Sequence, residues 1–201
     1  QEFFRDMDGE QTKQEISALS LHIKYLRTFF QLVLEETNPL QRAYLEEALE
    51  MVYKAHGITY ETNITGLKPT DYPLLEELYY YVRDTMTKDK KYNLETLNML
   101  HSQLRSISIG ADKHIWNGYT NIDLNAQLVV MNTSGLIDAG EKIKRAQFYN
   151  VLTWAWQQVL KKPHDEKMLI FADEAYLMVD KDVPETLMSM RNIAKRIRKR
   201  T

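Results

Sequence analysis

Cysteine is absent from all 201 residues. That excludes a disulfide framework and any thiolate metal site. Glycine is scarce, at seven, and no complete Gly-x-x-x-x-Gly-Lys-[Ser/Thr] loop occurs. The chain therefore carries neither the amide cradle nor the phosphate-binding lysine of that motif. No apolar run approaches the roughly 18 residues of a membrane span. The start, Gln1-Glu2-Phe3-Phe4-Arg5-Asp6, is charged and shows no signal peptide. The histidines, His22, His56, His101, His114 and His164, have no paired metal spacing, and read as solvated or hydrogen-bonded helix residues.

What is present is ordinary globular composition, 44% hydrophobic and 27% charged, in a length that suits one domain or two small ones. The net charge of −2 hides an asymmetry. Residues 191–200 hold six basic residues (Arg191, Lys195, Arg196, Arg198, Lys199 and Arg200) and no acid, leaving 20 basic against 28 acidic residues elsewhere. Such a run suits an anionic partner or an intersubunit contact, and equally a helix whose cationic end complements its dipole. The chain starts without Met and stops inside a helical pattern at Thr201, as an excised fragment or the ordered part of a longer protein would.

Apolar periodicity predicts a helix over 11–35, with Ile16, Leu19, Ile23, Leu26, Phe30 and Val33 on one face. Asn38-Pro39-Leu40-Gln41 reads as the start of a second, with Asn38 as cap, Pro39 at the first helical position and Gln41 closing a capping box. Gly57 is its stop, and the short joint between the two helices predicts an antiparallel hairpin. A loop over 58–70 leads to a third helix from Asp71-Tyr72-Pro73 to Lys88, with Leu74, Leu75, Leu78, Tyr81 and Val82 inward. In Tyr79-Tyr80-Tyr81 the periodicity favours Tyr81 as the core residue, and the run could equally dock a partner. Asn93 caps a fourth helix to Ser106.

After Ile109 the pattern becomes turn-rich. Gln127-Leu128-Val129-Val130-Met131 reads as a strand. A long helix follows over 139–161, its second half apolar on most sides (Val151, Leu152, Trp154, Ala155, Trp156, Val159, Leu160), as befits packing against a sheet. Lys167 to Ala172 is a second apolar run and ends abruptly in Asp173-Glu174. Strand, helix, strand predicts a right-handed parallel βαβ unit. Two acids at the carboxyl end of such a strand lie where open α/β sheets bind ligands, although an Asp there also serves as a plain helix cap. Asp182-Val183-Pro184-Glu185 reads as a last helix start, with Val183, Leu187, Met190, Ile193 (or Ala194) and Ile197 on the buried face. Arg191, Lys195 and Arg198 share another face at i, i+4 and i+7.

The "IWNG" turn, "LVVMNTSGL", the aromatic crossover helix, "LIFADEAY" and "MRNIAKRIRKR" together resemble the ATPase of type IV secretion and conjugation systems, the VirB-family fourth component (TraC/TrbE-like), in its C-terminal motor domain. The resemblance is strongest over 109–201. It implies an α/β fold: an incomplete RecA-like P-loop NTPase core, a parallel βαβ unit with Walker B over 109–201, plus an all-α module over 1–108 inserted in the motor. It also implies ATP and Mg²⁺ as cofactors, with Asp173 orienting the metal through its water shell and Glu174 polarising the attacking water. Arg191, Lys195 and Arg198 become contacts to nucleotide phosphate or the next protomer of a hexamer. Partners are then other subunits of the secretion apparatus, and the location is cytoplasmic, peripheral on the inner face of the cell membrane. Without the phosphate loop, this chain alone is expected to be inactive. Two other readings fit the same residues. A HerA- or FtsK-like DNA pump would place the basic residues on nucleic acid. A non-enzymatic helical docking module would reduce the acids to a cap.

Overall fold

The computed structural model describes residues 17–34, 37–64, 66–120, 128–136, 139–161, 169–173, 184, 186–188 and 190–191. Helix α1 spans Ala18–Val33, α2 Pro39–Ala55, α3 Leu75–Asp84, α4 Leu94–Ser108, α5 Lys113–Trp116 and α6 Glu141–Lys161, with single 3-10 turns at Pro69–Asp71, Met86–Lys88 and Ser134–Leu136. The chain divides into two compact units. Ile16–Arg27 and Leu34–Val129 form one, which holds α2 to α5. The other is described through Thr28–Val33 and the described part of Val130–Thr201.

The helical unit starts and stops its helices by local chemistry. Asn38 Oδ1 accepts from Gln41 N–H at 2.8 Å, and Gln41 Oε1 accepts from Asn38 N–H at 2.8 Å. Two of the amides that a helix start leaves without partners are thus satisfied by one reciprocal pair. Gln41 is 1% exposed; its Oε1 is bonded within the box, while its Nε2 is buried with no hydrogen-bond partner. Asn38→Ala should cost about 1 kcal/mol, measurable as a lower denaturation midpoint at unchanged slope; no loss would mean the cap is idle. At the other end Gly57 takes φ 73, a left-handed conformation that favours glycine. Its N–H meets Lys54 O at 2.9 Å, and Ile58 N–H meets Tyr53 O at 3.0 Å, the two bonds of a Schellman stop.

The α1–α2 hairpin is antiparallel as expected. His22 Nε2 lies 2.7 Å from Tyr53 Oη, and Arg27 pairs with Glu46 at 3.5 Å. Helix α4 packs on α2, α3 and α5, and its Leu97, Leu100 and Leu104 are fully buried. Helix α3 starts at Leu75 rather than near Asp71, and its buried residues are Leu78, Tyr79 and Val82. Tyr79 is therefore the core tyrosine, stacked on His101 at 4.6 Å, while Tyr81 is half-buried and Tyr80 exposed.

In the second unit α6 has one buried stripe, Ala146, Tyr149, Leu152 and Trp156, with Phe148 beside it. Val151, Trp154 and Ala155 are only half-buried. The described residues between 184 and 191 are helical, but Leu187 is exposed and Thr186 is buried instead. Val183, Ile193 and Ile197 lie outside the described residues.

The α/β expectation is overturned. Among the described residues there is no strand and no sheet. The two runs read as parallel strands are present but unladdered, with Leu128 and Val130 each 79% exposed and Leu169 and Phe171 at 80% and 91%. The physical reason is that apolarity alone does not make a strand. A parallel strand needs neighbours to take its backbone N–H and C=O groups and layers to cover both faces. Two short strands are too few for a stable sheet by themselves.

Candidate functional site

Asp173 occupies a turn at the end of the exposed run from Leu169, and its carboxylate is exposed. Arg191 is exposed on the short helical stretch and belongs to the same unit. Glu174, Lys195 and Arg198 lie outside the described residues. An exposed carboxylate is a hard oxygen donor of the kind that suits Mg²⁺, which keeps most of its water and takes one or two carboxylates from a protein. No group of three or more potential ligands gathers among the described residues.

The start of α6 does not form a phosphate cradle. Gly135 and Gly140 stand at the spacing of the two glycines of a phosphate loop, and α6 begins directly after Gly140. Gly140 even takes φ 81. Where the loop would carry its lysine, however, the residue is Glu141. That carboxylate sits in the first turn of α6, paired with Lys144 Nζ at 3.1 Å. An acid at a helix start already complements the dipole and repels a second anion. The start of α6 thus does not suit phosphates, and Asp173 is the one member of the expected cation site among the described residues.

Sequence reasoning also missed two polar ties in the helical unit. Asn117, in the turn after α5, accepts from Glu76 N–H at 3.1 Å, so a residue of the "IWNG" turn caps α3 from 41 positions away. His56, the C-cap of α2, bonds Glu77 in the first turn of α3 at 2.7 Å. Burial pushes the Glu77 carboxyl up, but the bonds from His56 and Leu74 N–H outweigh it and hold it below its ordinary value. Burial drives His22 down to about 4, so it is a neutral partner of Tyr53.

No family model matches the chain. A structure of VirB4 from Thermoanaerobacter pseudethanolicus superposes with a TM-score of 0.84 at 36% identity, covering 92% of this chain and 48% of the other. The chain resembles VirB4. The resemblance to the VirB-family fourth component that the sequence motifs carry is the one this comparison bears out. An uncharacterized protein of Bacillus anthracis is 26% identical over 194 residues, 89% of this chain and 29% of its own length. This VirB4-like chain thus spans about half of the first relative and under a third of the second.

Proposed function

We propose that the chain is a section of a VirB4-type ATPase motor that energises type IV secretion or conjugative transfer. The observation that carries the reading is the 36% identity to VirB4 over 92% of the chain. In the intact protein, Mg²⁺ would supply charge neutralisation on the phosphates of ATP. Asp173, exposed at a turn, would hold that ion through its water shell. Glu174 accepts a proton from the attacking water. Arg191, Lys195 and Arg198 contact a phosphate or the neighbouring protomer of a hexamer. Residues 1–108 act as a helical module inserted in the motor.

The grip on the phosphates has to come from residues other than these, so the chain alone does not turn over ATP at a useful rate. Partners are other subunits of the secretion apparatus, and the site of action is the cytoplasmic face of the membrane, held peripherally. No described helix is long and apolar enough to cross a membrane. The test is Asp173→Asn in the intact protein. Loss of one outer carboxylate should raise the Mg²⁺ concentration needed for hydrolysis about tenfold to a hundredfold. An unchanged Mg²⁺ dependence would remove Asp173 from the site.

A further inference from the structure

Opposite its buried residues, α4 presents one continuous exposed face. The face runs from Leu94 and Arg105 at one margin, through Asn98 and Ser102, to Glu95, Ser106 and Met99 at the other. Leu94 and Met99 are 54% and 51% exposed, so two large apolar side chains frame it. A shallow depression lies along it, lined by residues of α4 alone, Ser102 among them. The two serine hydroxyls are already bonded within the chain. Ser102 donates to Asn98 O at 2.8 Å and Ser106 to Asp112 Oδ2 at 2.6 Å. Covering them strands no donor.

The charges of this face stand at opposite ends. Glu95 is in the first turn of α4 and Arg105 in the last, about 15 Å apart along the axis. Neither is in an ion pair among the described residues.

We infer that this face of α4 is a docking surface for a second copy of the same chain, paired α4 to α4 in antiparallel register.

The register follows from the charges. With the two-fold axis between Asn98 and Ser102, Glu95 of each copy is level with Arg105 of the other, and Asn98 is level with Ser102. Met99 falls beside Ser102 of the other copy, whose small side chain leaves room for it. A parallel pairing would instead set Glu95 on Glu95 and Arg105 on Arg105, like charge on like. Antiparallel pairing also opposes the two helix dipoles. The surface is that of a single helix pair, so the contact belongs with the weak, reversible ones. A two-fold contact closes on itself. It is therefore separate from the ring contact proposed for Arg191, Lys195 and Arg198, and it stands or falls independently of ATP hydrolysis.

Sedimentation velocity of the 201-residue chain from about 10 μM to about 1 mM tests the pairing. The unaltered chain should show a concentration-dependent dimer. Glu95→Arg and Arg105→Glu each set like charges level at both ends, and each alone should weaken the dimer about tenfold or more. Mixed in equal amounts, the two variants present opposite charges at both ends again, and a heterodimer of the original strength should form. Circular dichroism of each variant alone checks that its helices are intact. The register is read separately by disulfide trapping. The chain has no cysteine, so Asn98→Cys and Ser102→Cys each carry a single thiol. Mild oxidation of their mixture should give more of the 98-to-102 disulfide than random pairing does, because those two positions are level. A chain that stays monomeric to about 1 mM would overturn the inference and give the face to another protein. So would a dimer that neither charge change weakens, as one held by the apolar runs at 128–130 and 169–171 would behave. A mixture of intact variants that does not recover, or a 98-to-102 disulfide at its random share, would overturn it as well.

Discussion

Glu174→Gln in the intact protein is expected to abolish ATP turnover while leaving nucleotide affinity unchanged. The amide keeps the shape of the carboxylate and its hydrogen-bond reach, but it cannot take a proton at neutral pH. Positioned general bases contribute about 100-fold to 10,000-fold in rate, so the fall should lie in that range. Binding should survive because the proposed role of Glu174 lies on the attacking water, whereas Mg²⁺ and the phosphates are held by other groups. The contrast with Asp173→Asn is diagnostic. That change should respond to added Mg²⁺, because it weakens a hold on the metal; Glu174→Gln should not, because no metal concentration restores a base. Hydrolysis by Glu174→Gln within a few-fold of the unaltered protein would remove the acid pair from catalysis and leave it a helix cap.

Legibility in the sequence followed the range of the interaction. Asn38 with Gln41, and Asn93 with its acceptance from Thr96 N–H at 2.8 Å, are bonds across three residues, and spacing alone reveals them. Gly57 as a stop is equally local. Periodicity favours Tyr81, whereas the buried residues of α3 are Leu78, Tyr79 and Val82, because the ring of Tyr79 packs on His101 of α4, a contact that lies outside the local pattern. The strand expectation failed for a deeper reason. The runs at 128–131 and 169–172 have the composition of buried strands, but a ladder is a property of pairs, and a single run says nothing about where its partner is. Asn117 and His56 were invisible for the same cause, since each bonds a residue 41 or 21 positions away. The acid pair was legible because two carboxylates after an apolar run are a one-dimensional pattern. Its geometry was not, and Glu174 lies outside the described residues.

Leu100→Ala is expected to give the largest stability loss in the helical unit, about 2–5 kcal/mol. Leu100 is 0% exposed, and so are Leu97 and Leu104 on the same face of α4. That helix packs on α2, α3 and α5, so it touches more of its neighbours than any other described element. Removing the side chain costs its burial and leaves a cavity in the packed face of α4. Backbone preference does not confuse the measurement, because alanine is at least as good a helix former as leucine. Against a domain stability of about 5–15 kcal/mol, such a loss is a large share of the total. The control lies in the first turn of the same helix. Leu94 is 54% exposed, and Leu94→Ala should stay within about 0.5 kcal/mol of the unaltered chain. Urea unfolding followed by circular dichroism distinguishes the two, through midpoints at matched slopes. If Leu100→Ala cost no more than Leu94→Ala, α4 would not be the centre of the unit, and the packing of α2, α3 and α5 around it would have to be redrawn.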